Sequence, residues 1–355
     1  MPEGWSTRRL YFVVPALLAV AATSAPHLAA AQDDEQAQVT ALLSRASELL
    51  NVRQPASGPF VLRADIRLLE LTDDKVAEGT YTLAWDCGKR WRAQIDFGGG
   101  YQDVQIVNEG KLWRQSTMNQ EPVRMYELRQ VLEFASRLTL LPRETGKSVR
   151  SRSEEESPTH CVELRAGPVP EDQPPGEIPR VLCFDADVGT LLREERPHLT
   201  NAFMDYAPWG SGLFPRTLLV FEDDTLVVEV REVELTAFPD PDPSWFLPPD
   251  GAEWVFLPGA GKSITHPKLI HQVLPEYTSE ATRKGIEGDV FIEGIVTAEG
   301  KVVLVRLAKR LPDNDLNTRA MESVLQWRFE PARKDGRPVP VVSLFKVTFQ
   351  IHARR

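Results

Sequence analysis

The sequence predicts an α+β protein in two parts: a β-rich N-terminal domain with helices over residues 38–255, and a small C-terminal domain over residues 273–355. Runs in which apolar and polar residues alternate, separated by turn residues, dominate the first part. The second part has the pattern of a three-stranded antiparallel sheet with two helices. Residues 256–272 between them are then a linker.

Charge divides the chain near the same place. Of the 41 Lys/Arg and 51 Asp/Glu, 15 basic and 11 acidic residues lie between His266 and Arg355, which gives this segment a net charge of +4 and the rest −14. Such an asymmetry indicates two modules with different partners. The overall acidic excess argues against a general nucleic-acid-binding protein, so we expect no nucleic-acid partner.

The first 31 residues are typical of an export signal. Arg8 and Arg9 precede an apolar run, and small residues follow as far as Ala31, as in the three regions of a signal peptide. An uncleaved anchor is the alternative, although Leu10–Ala25 is short for a bilayer, which needs about 20 apolar residues. We therefore expect a periplasmic protein, anchored in the inner membrane if this segment is retained.

The N-terminal domain begins with a helix and continues as strands. Leucine and alanine recur at helical spacing over residues 38–50, and a second helical stripe covers residues 124–138. Strand patterns run from Phe60 to about residue 235 on either side of this stripe. The Pro-rich segments 167–179 and 238–251 predict loops, the second of which closes the domain.

Three cysteines are present: Cys87, Cys161 and Cys183. Cys161 and Cys183 lie in two strand-like runs joined by the first Pro-rich loop, so a cross-strand disulfide is expected in an oxidising compartment. Three buried thiols are the alternative. The chain has no Cys-x-x-Cys pair, so neither a zinc site nor thioredoxin-type chemistry is indicated.

The order of elements in the central region resembles the half-barrel of periplasmic lipoprotein carriers, the LolA-like domains. The phrases that carry this resemblance are Cys183–Asp185 leading into Asp187–Leu192, and Phe214-Pro215 before a strand. The resemblance implies a half-barrel-like sheet wrapped around helices, with a concave face that could hold a lipid. The alternative is that the same apolar residues fill a closed core.

The C-terminal domain gives clearer patterns. Two strands, Val290–Val296 and Val302–Leu307, are joined at Glu299-Gly300, and a helix capped near Asp313 follows. Pro331 is expected to end this helix, and Asp335-Gly336 to turn the chain into the last strand. In that strand the odd-numbered residues from Val341 predict a buried face and the even-numbered ones a wet face.

About the last 80 residues resemble the C-terminal domain of the TonB family. The matching phrases occur in the family's order: Pro275–Tyr277, Ala281, Gly285–Gly288, Val290, Gly300, Val302, Leu316, Val324, Trp327–Phe329, Pro331-Ala332, Gly336 and Pro338-Val339. Thr278 departs from the pattern, since the family has a second proline there.

This resemblance implies a binding domain rather than an enzyme. The family's domain adds an extended peptide of an outer-membrane receptor to its sheet edge through main-chain hydrogen bonds. It implies that residues 339–351 form that edge, where Lys346 is either a guard against uncontrolled pairing or a plain solvated charge. The candidate partner-binding residues are Pro275, Tyr277, Val339, Val341, Val342, Leu344, Lys346, Thr348 and Gln350.

Catalytic and metal-binding patterns are not found in the sequence. None of the six histidines stands at a metal-ligand spacing, and neither a Gly-x-Ser-x-Gly elbow nor a phosphate-binding loop occurs. We therefore expect no enzyme activity, no cofactor and no metal.

Together these features predict a TonB-related envelope protein that recruits an outer-membrane TonB-dependent receptor or another envelope protein, in energy-dependent transport. A folded β domain stands where TonB transducers have a Pro-rich spacer, and the apolar run lacks the family's motor-coupling histidine, which favours a soluble adaptor. The alternatives are a periplasmic lipid or lipoprotein carrier with a TonB-like docking module, and a purely structural envelope protein.

Overall fold

The computed structural model describes residues 25–53, 57–69, 76–98, 100–138, 145–150, 158–165, 180–256 and 264–351. These residues are mostly strand, with few helices. The predicted signal segment lies for its larger part outside the described residues. Within the described part, no helix combines the length and apolar character that a membrane-spanning helix requires.

One large antiparallel sheet of 13 strands forms the N-terminal part. Its strands are β1 (Phe60–Leu69), β2 (Val76–Trp85), β3 (Trp91–Asp96), β4 (Gln102–Asn108), β5 (Lys111–Ser116), β6 (Thr145–Arg150), β7 (Thr159–Arg165), β8 (Arg180–Asp185), β9 (Leu191–Arg196), β10 (Leu199–Trp209), β11 (Gly212–Glu222), β12 (Thr225–Ala237) and β13 (Glu253–Val255). The order is β13-β5-β4-β3-β2-β1-β12-β11-β10-β9-β8-β7-β6, so β1 and β12 join two meanders and the sheet stays open.

Two helices pack on one face of this sheet. The predicted helix at 38–50 is part of α1 (Ala25–Leu50), which buries Val39, Leu43, Ala46 and Leu50 against the sheet. The second predicted helix is divided: α2 (Arg124–Leu132) ends before Glu133, and a 3-10 turn (Phe134–Arg137) follows. A further 3-10 turn (Pro243–Phe246) lies in the second Pro-rich segment.

The cysteines pair as the strand pattern indicates. Cys161 on β7 lies directly opposite Cys183 on β8, and a disulfide joins them. Cys87 is not part of this bond. The disulfide therefore ties together the two strands that flank residues 166–179.

The C-terminal part is built on the predicted three-stranded antiparallel sheet. Its elements are β14 (Lys268–His271), α3 (Ser279–Lys284), β15 (Gly288–Val296), β16 (Val302–Lys309), α4 (Asn314–Leu325), β17 (Arg328–Glu330), β18 (Arg333–Lys334), β19 (Arg337–Pro338) and β20 (Val341–Phe349). The sheet order is β16-β15-β20, while β14 pairs with β17 and β18 with β19. Asp313 caps α4 by accepting the Leu316 N–H at 2.8 Å, as predicted.

Helix α4 covers one face of this sheet. Leu316, Ala320 and Val324 are fully buried against β15 and β16. The ring of Phe345 lies 5.9 Å from that of Trp327 and 5.6 Å from that of Phe329, so the chain after α4 is fixed by aromatic packing.

Two expectations for this region are wrong. Helix α4 ends at Leu325, and β17 intervenes before Pro331, so the proline does not end the helix. The even-numbered face of the last strand is also not wet throughout. Val342 is only 7% exposed, because at this end the sheet packs against Leu112 of β5 and Val255 of β13.

The aromatic packing of Phe345 predicts a large effect on stability. Phe345 is 5% exposed, so Phe345→Ala leaves a cavity and should lower the free energy of unfolding by about 3–5 kcal/mol. Chemical denaturation followed by tryptophan fluorescence measures this change. The neighbouring Lys346→Ala, whose side chain points to solvent, should change stability by no more than about 0.5 kcal/mol. Equal effects of the two substitutions would contradict the packing described here.

Candidate functional site

The outer side of β20 forms an edge of the C-terminal sheet. β20 pairs with β15 on one side, and in the sheet order it is the last strand. Main-chain groups of alternate residues point to the same side of a strand. Because Val342 N–H bonds outward to the Phe256 carbonyl at 2.9 Å, the outward set continues with Leu344, Lys346 and Thr348.

The side chains of these three residues are exposed. Leu344 is 37% exposed. Lys346 lies 3.9 Å from the Asp289 carboxylate, a weak contact between exposed groups, whereas the Thr348 hydroxyl donates to Asp289 at 2.6 Å. The open part of the edge thus presents one apolar, one cationic and one hydroxyl side chain.

The other predicted site residues have different surroundings. Val339 precedes the strand and donates its N–H to the Ala332 carbonyl, Val341 and Val342 are buried, and Gln350 follows the end of the strand. Among the described residues, only the second half of β20 has both an open outer edge and exposed side chains.

Tyr277 and Pro275 lie in the segment before α3. The Tyr277 ring packs edge-on against Phe349 with centroids 5.4 Å apart, and its hydroxyl donates to the Ile286 carbonyl. The same segment is attached to α4, since Trp327 Nε1 donates to the Val273 carbonyl at 2.8 Å. Tyr277 thus stands at the far end of β20, and Pro275 is half-buried outside any strand.

The opposite edge of the sheet is partly closed by the N-terminal part. Glu121 N–H donates to the Val305 carbonyl at 2.9 Å, and Val305 N–H donates to the Asn119 carbonyl at 2.8 Å. These bonds add the segment 119–121 alongside β16 in parallel orientation. The sequence has no signal for this contact, because nothing in a short polar loop specifies a distant strand as its partner.

Charged groups join the two parts beside this contact. Arg129 on α2 holds the Glu121 carboxylate with two hydrogen bonds of 2.9 and 2.6 Å, and also donates to the Leu307 carbonyl of β16 at 2.9 Å. Burial lowers the pKa of Arg129, but the Glu121 carboxylate outweighs this and the net pKa is raised. Arg129 therefore stays charged and bridges the two parts.

A second cluster centres on Glu293 of β15. Its carboxylate lies 3.2 Å from Arg114 of β5 and 2.7 Å from Arg306 of β16. Burial by itself raises the pKa of Glu293, yet Arg306 and Arg114 hold the net pKa below its usual value. Glu293 is thus an ionised link between the large and the small sheet.

A third cluster surrounds Arg310, which follows β16. Its guanidinium lies 2.9 Å from Glu127 and 2.6 Å from Glu222, and Arg124 contacts Glu222 at 2.7 Å. Glu127 is fully buried, and burial raises its pKa although Arg310 opposes the shift. Three charged clusters therefore fix the C-terminal sheet against β5, α2 and β11.

The N-terminal part encloses a cavity of about 460 Å³ between its sheet and helices. Apolar side chains make up most of the lining, among them Leu62, Leu83, Trp91, Ile95, Phe214 and Leu218. Arg53, Asp103 and Arg129 are charged residues of the lining, and Tyr81 is a polar one whose pKa burial raises to about 12. The concave face is therefore not completely filled by the chain's own side chains.

Metal-binding geometry is not found among the described residues. No group of three or more His, Cys, Asp or Glu side chains converges there on a common point. His198 pairs with Asp223 at 2.8 Å on the surface, which is a turn contact rather than a ligand set.

Sequence comparison identifies the C-terminal part. Residues 273–351 match the family model described as Gram-negative bacterial TonB protein C-terminal. Protein TonB of Vibrio cholerae serotype O1 is 35% identical over 77 residues, which are 21% of this chain and 32% of that protein. The chain thus spans about a third of the length of the curated relatives it matches. The resemblance of this part to the TonB family is confirmed.

Structure comparison finds solved structures that are similar to portions of this chain. A solution structure of the TonB C-terminal domain from Pseudomonas aeruginosa covers 28% of this chain and 97% of its own, at 24% identity and a TM-score of 0.22. A LolA superfamily protein from Nitrosomonas europaea covers 59% of this chain and 96% of its own, at 11% identity and a TM-score of 0.40.

The charge cluster around Glu293 generates a prediction about pH. Glu293→Gln keeps the shape but removes the charge, which should lower the free energy of unfolding by about 1–3 kcal/mol at pH 7. The pKa of Glu293 is lowered from 4.5, so its contribution is present above that pH and is lost as the pH falls through the folded-state pKa.

Thermal unfolding of both proteins between pH 7 and pH 3 tests this. The Tm difference between wild type and Glu293→Gln should shrink on acidification. Glu322→Gln, which removes an exposed partner of Arg319, is the control and should show little difference at any pH. A Tm difference for Glu293→Gln that is unchanged down to pH 3 would contradict an ionised Glu293.

Proposed function

We propose that the C-terminal part binds an extended segment of a partner protein by β-strand addition along the outer edge of β20. The observation that carries this proposal is the open edge itself. Leu344, Lys346 and Thr348 direct their main-chain groups outward, and the described residues supply no strand to meet them. A peptide that adds there satisfies these groups and extends the sheet to four strands.

The match to the TonB C-terminal family supports the choice of partner. We propose that the partner is an outer-membrane TonB-dependent receptor or another envelope protein, and that the protein acts in the periplasm as a binding protein, not an enzyme. Tyr277 packs against Phe349 at the far end of the same strand, and Tyr277 and Pro275 would contact the folded part of the partner rather than the docked segment.

The N-terminal part makes this protein different from a simple docking domain. The charged clusters hold the C-terminal sheet against the large sheet, so the two parts would present one surface to a receptor. We propose an adaptor that links its partner to whatever the N-terminal part binds. Energy-dependent transport would be the process that such an adaptor serves.

A proline in the open edge tests strand addition. The Lys346 N–H points away from β15, so Lys346→Pro removes an outward donor while the pairing with β15 stays intact. Affinity for synthetic peptides from the N-terminal segments of the organism's outer-membrane receptors should fall at least about tenfold, or about 1.4 kcal/mol. Isothermal titration calorimetry measures it.

The matched control is Lys346→Ala, which keeps the N–H and loses only the side-chain charge, so its affinity should fall much less than that of Lys346→Pro. Circular dichroism establishes that both variants are folded. Strand addition at β20 is wrong if the folded Lys346→Pro variant binds these peptides as wild type does.

A second candidate function is the binding of a lipid in the N-terminal part. The specific observation that favours it is the cavity of about 460 Å³ with its mainly apolar lining. An acyl chain would fit the apolar walls, and Arg53 would offer a cation to its head group. On this proposal the protein is a lipid or lipoprotein carrier with a TonB-like docking module.

Filling the cavity tests this function. Ala93 lines the cavity on β3, so Ala93→Trp should occupy the space that an acyl chain needs. We expect mass spectrometry of gently extracted protein to find bound lipid in the wild type and less than half as much in the variant. Gln94→Trp, on the opposite face of the same strand, is the control and should retain the lipid. Wild-type protein that carries no lipid would rule out this function.

A further inference from the structure

The outer edge of β20 is already occupied at its beginning by the chain itself. Phe256, the residue after β13, donates its N–H to the Pro340 carbonyl at 3.1 Å and accepts the Val342 N–H at 2.9 Å. The bridge between Phe256 and Val341 is parallel. The chain therefore supplies the first residue of a fourth strand next to β20.

Phe256 is held firmly in this position. It directly follows β13, in which Trp254 pairs with Trp113 of β5. The Phe256 ring lies 4.7 Å from the Trp254 ring, and Lys334 Nζ lies 5.0 Å from the centroid of the Phe256 ring. Val255 is 1% exposed, so the residue before Phe256 is anchored in the contact between the two sheets.

This anchoring limits the space left for a partner. The Pro340 carbonyl and the Val342 N–H bond to Phe256, so the outward groups that remain on β20 are the Val342 carbonyl and the main-chain groups of Leu344, Lys346 and Thr348. A docked strand can pair with these groups only, within the described part of the chain. Such a strand would pair along the edge beyond Phe256.

We propose that Phe256 fixes where a docked strand begins, so that this edge takes a short extended segment of about six residues opposite Leu344–Phe349. The inference rests on the proposed function and adds a limit on the length of the docked segment and a residue, Phe256, that positions it.

The exposed side chains of β20 indicate the chemistry of the docked segment. The segment has an apolar residue beside Leu344, which is 37% exposed, and an acidic residue beside Lys346, whose contact with Asp289 is 3.9 Å long.

Amide hydrogen exchange of the full chain, resolved by residue, tests this limit. In the free protein the amides of Phe256 and Val342 should exchange slowly because they are bonded, and those of Leu344, Lys346 and Thr348 quickly. The probes are the receptor peptides described above, added to saturation. We expect the three outward amides to slow at least tenfold, while Phe256 and Val342 keep their protection.

Truncated peptides give the second readout. Affinity should rise with peptide length up to about six residues and then stay constant, because longer peptides find no further groups to pair with. Replacement of the acidic residue of a bound peptide by its amide should weaken binding to wild type and have no effect on Lys346→Ala.

The other outcomes separate this inference from the function on which it rests. If the three outward amides slow but Phe256 loses its protection, the peptide displaces Phe256, and the inference is wrong while strand addition stands. Affinity that keeps rising beyond about eight residues leads to the same conclusion. If the peptides do not bind, or none of the three amides slows, strand addition at β20 is wrong and the inference fails with it.

Discussion

Main-chain hydrogen bonding at the edges of the C-terminal sheet is the constraint on which the rest of the structure depends. An edge strand leaves N–H and C=O groups unpaired, and proteins either cover such edges or use them. Here the β16 edge is met by the segment 119–121, and the start of the β20 edge by Phe256. The second half of β20 is left open among the described residues, which gives the molecule a defined place for another strand.

The large sheet supports this arrangement from two sides. β13 and β5 supply the apolar contact under Val342, and α2 supplies the charged contact above β16. Both contacts come from elements that also shape the N-terminal part: β5 belongs to the open sheet, and α2 carries Arg129, which lines the cavity. The cavity of the N-terminal part and the C-terminal sheet that carries the β20 edge are therefore supported by the same elements, β5 and α2. Charged side chains that pair with one another lie at the contact between the two parts.

Buried charges give this contact specificity at some cost in stability. Taking Glu293, Glu127 and their arginines out of water is unfavourable unless each charge finds a partner, and an apolar contact of similar size could be at least as stable. The arginine forks fix one relative position of the sheets, since a shifted arrangement would leave a charge unpaired. Such pairing would suit the adaptor role proposed above.

The sequence by itself determined the local structure of the C-terminal part. Turn residues, the Asp313 cap and the period-two pattern of β20 act over a few residues, so the sequence alone is enough to predict them. The strand pattern also predicted that Cys161 and Cys183 lie opposite each other. The tertiary structure alone decided where α4 ends, which half of β20 stays open, and that Val342 is buried. The physical reason is that these features depend on the pairing of β17 with β14, on Phe256 and on the packing of Val342 against Leu112 and Val255. These contacts join residues far apart in the chain, and no local pattern encodes them.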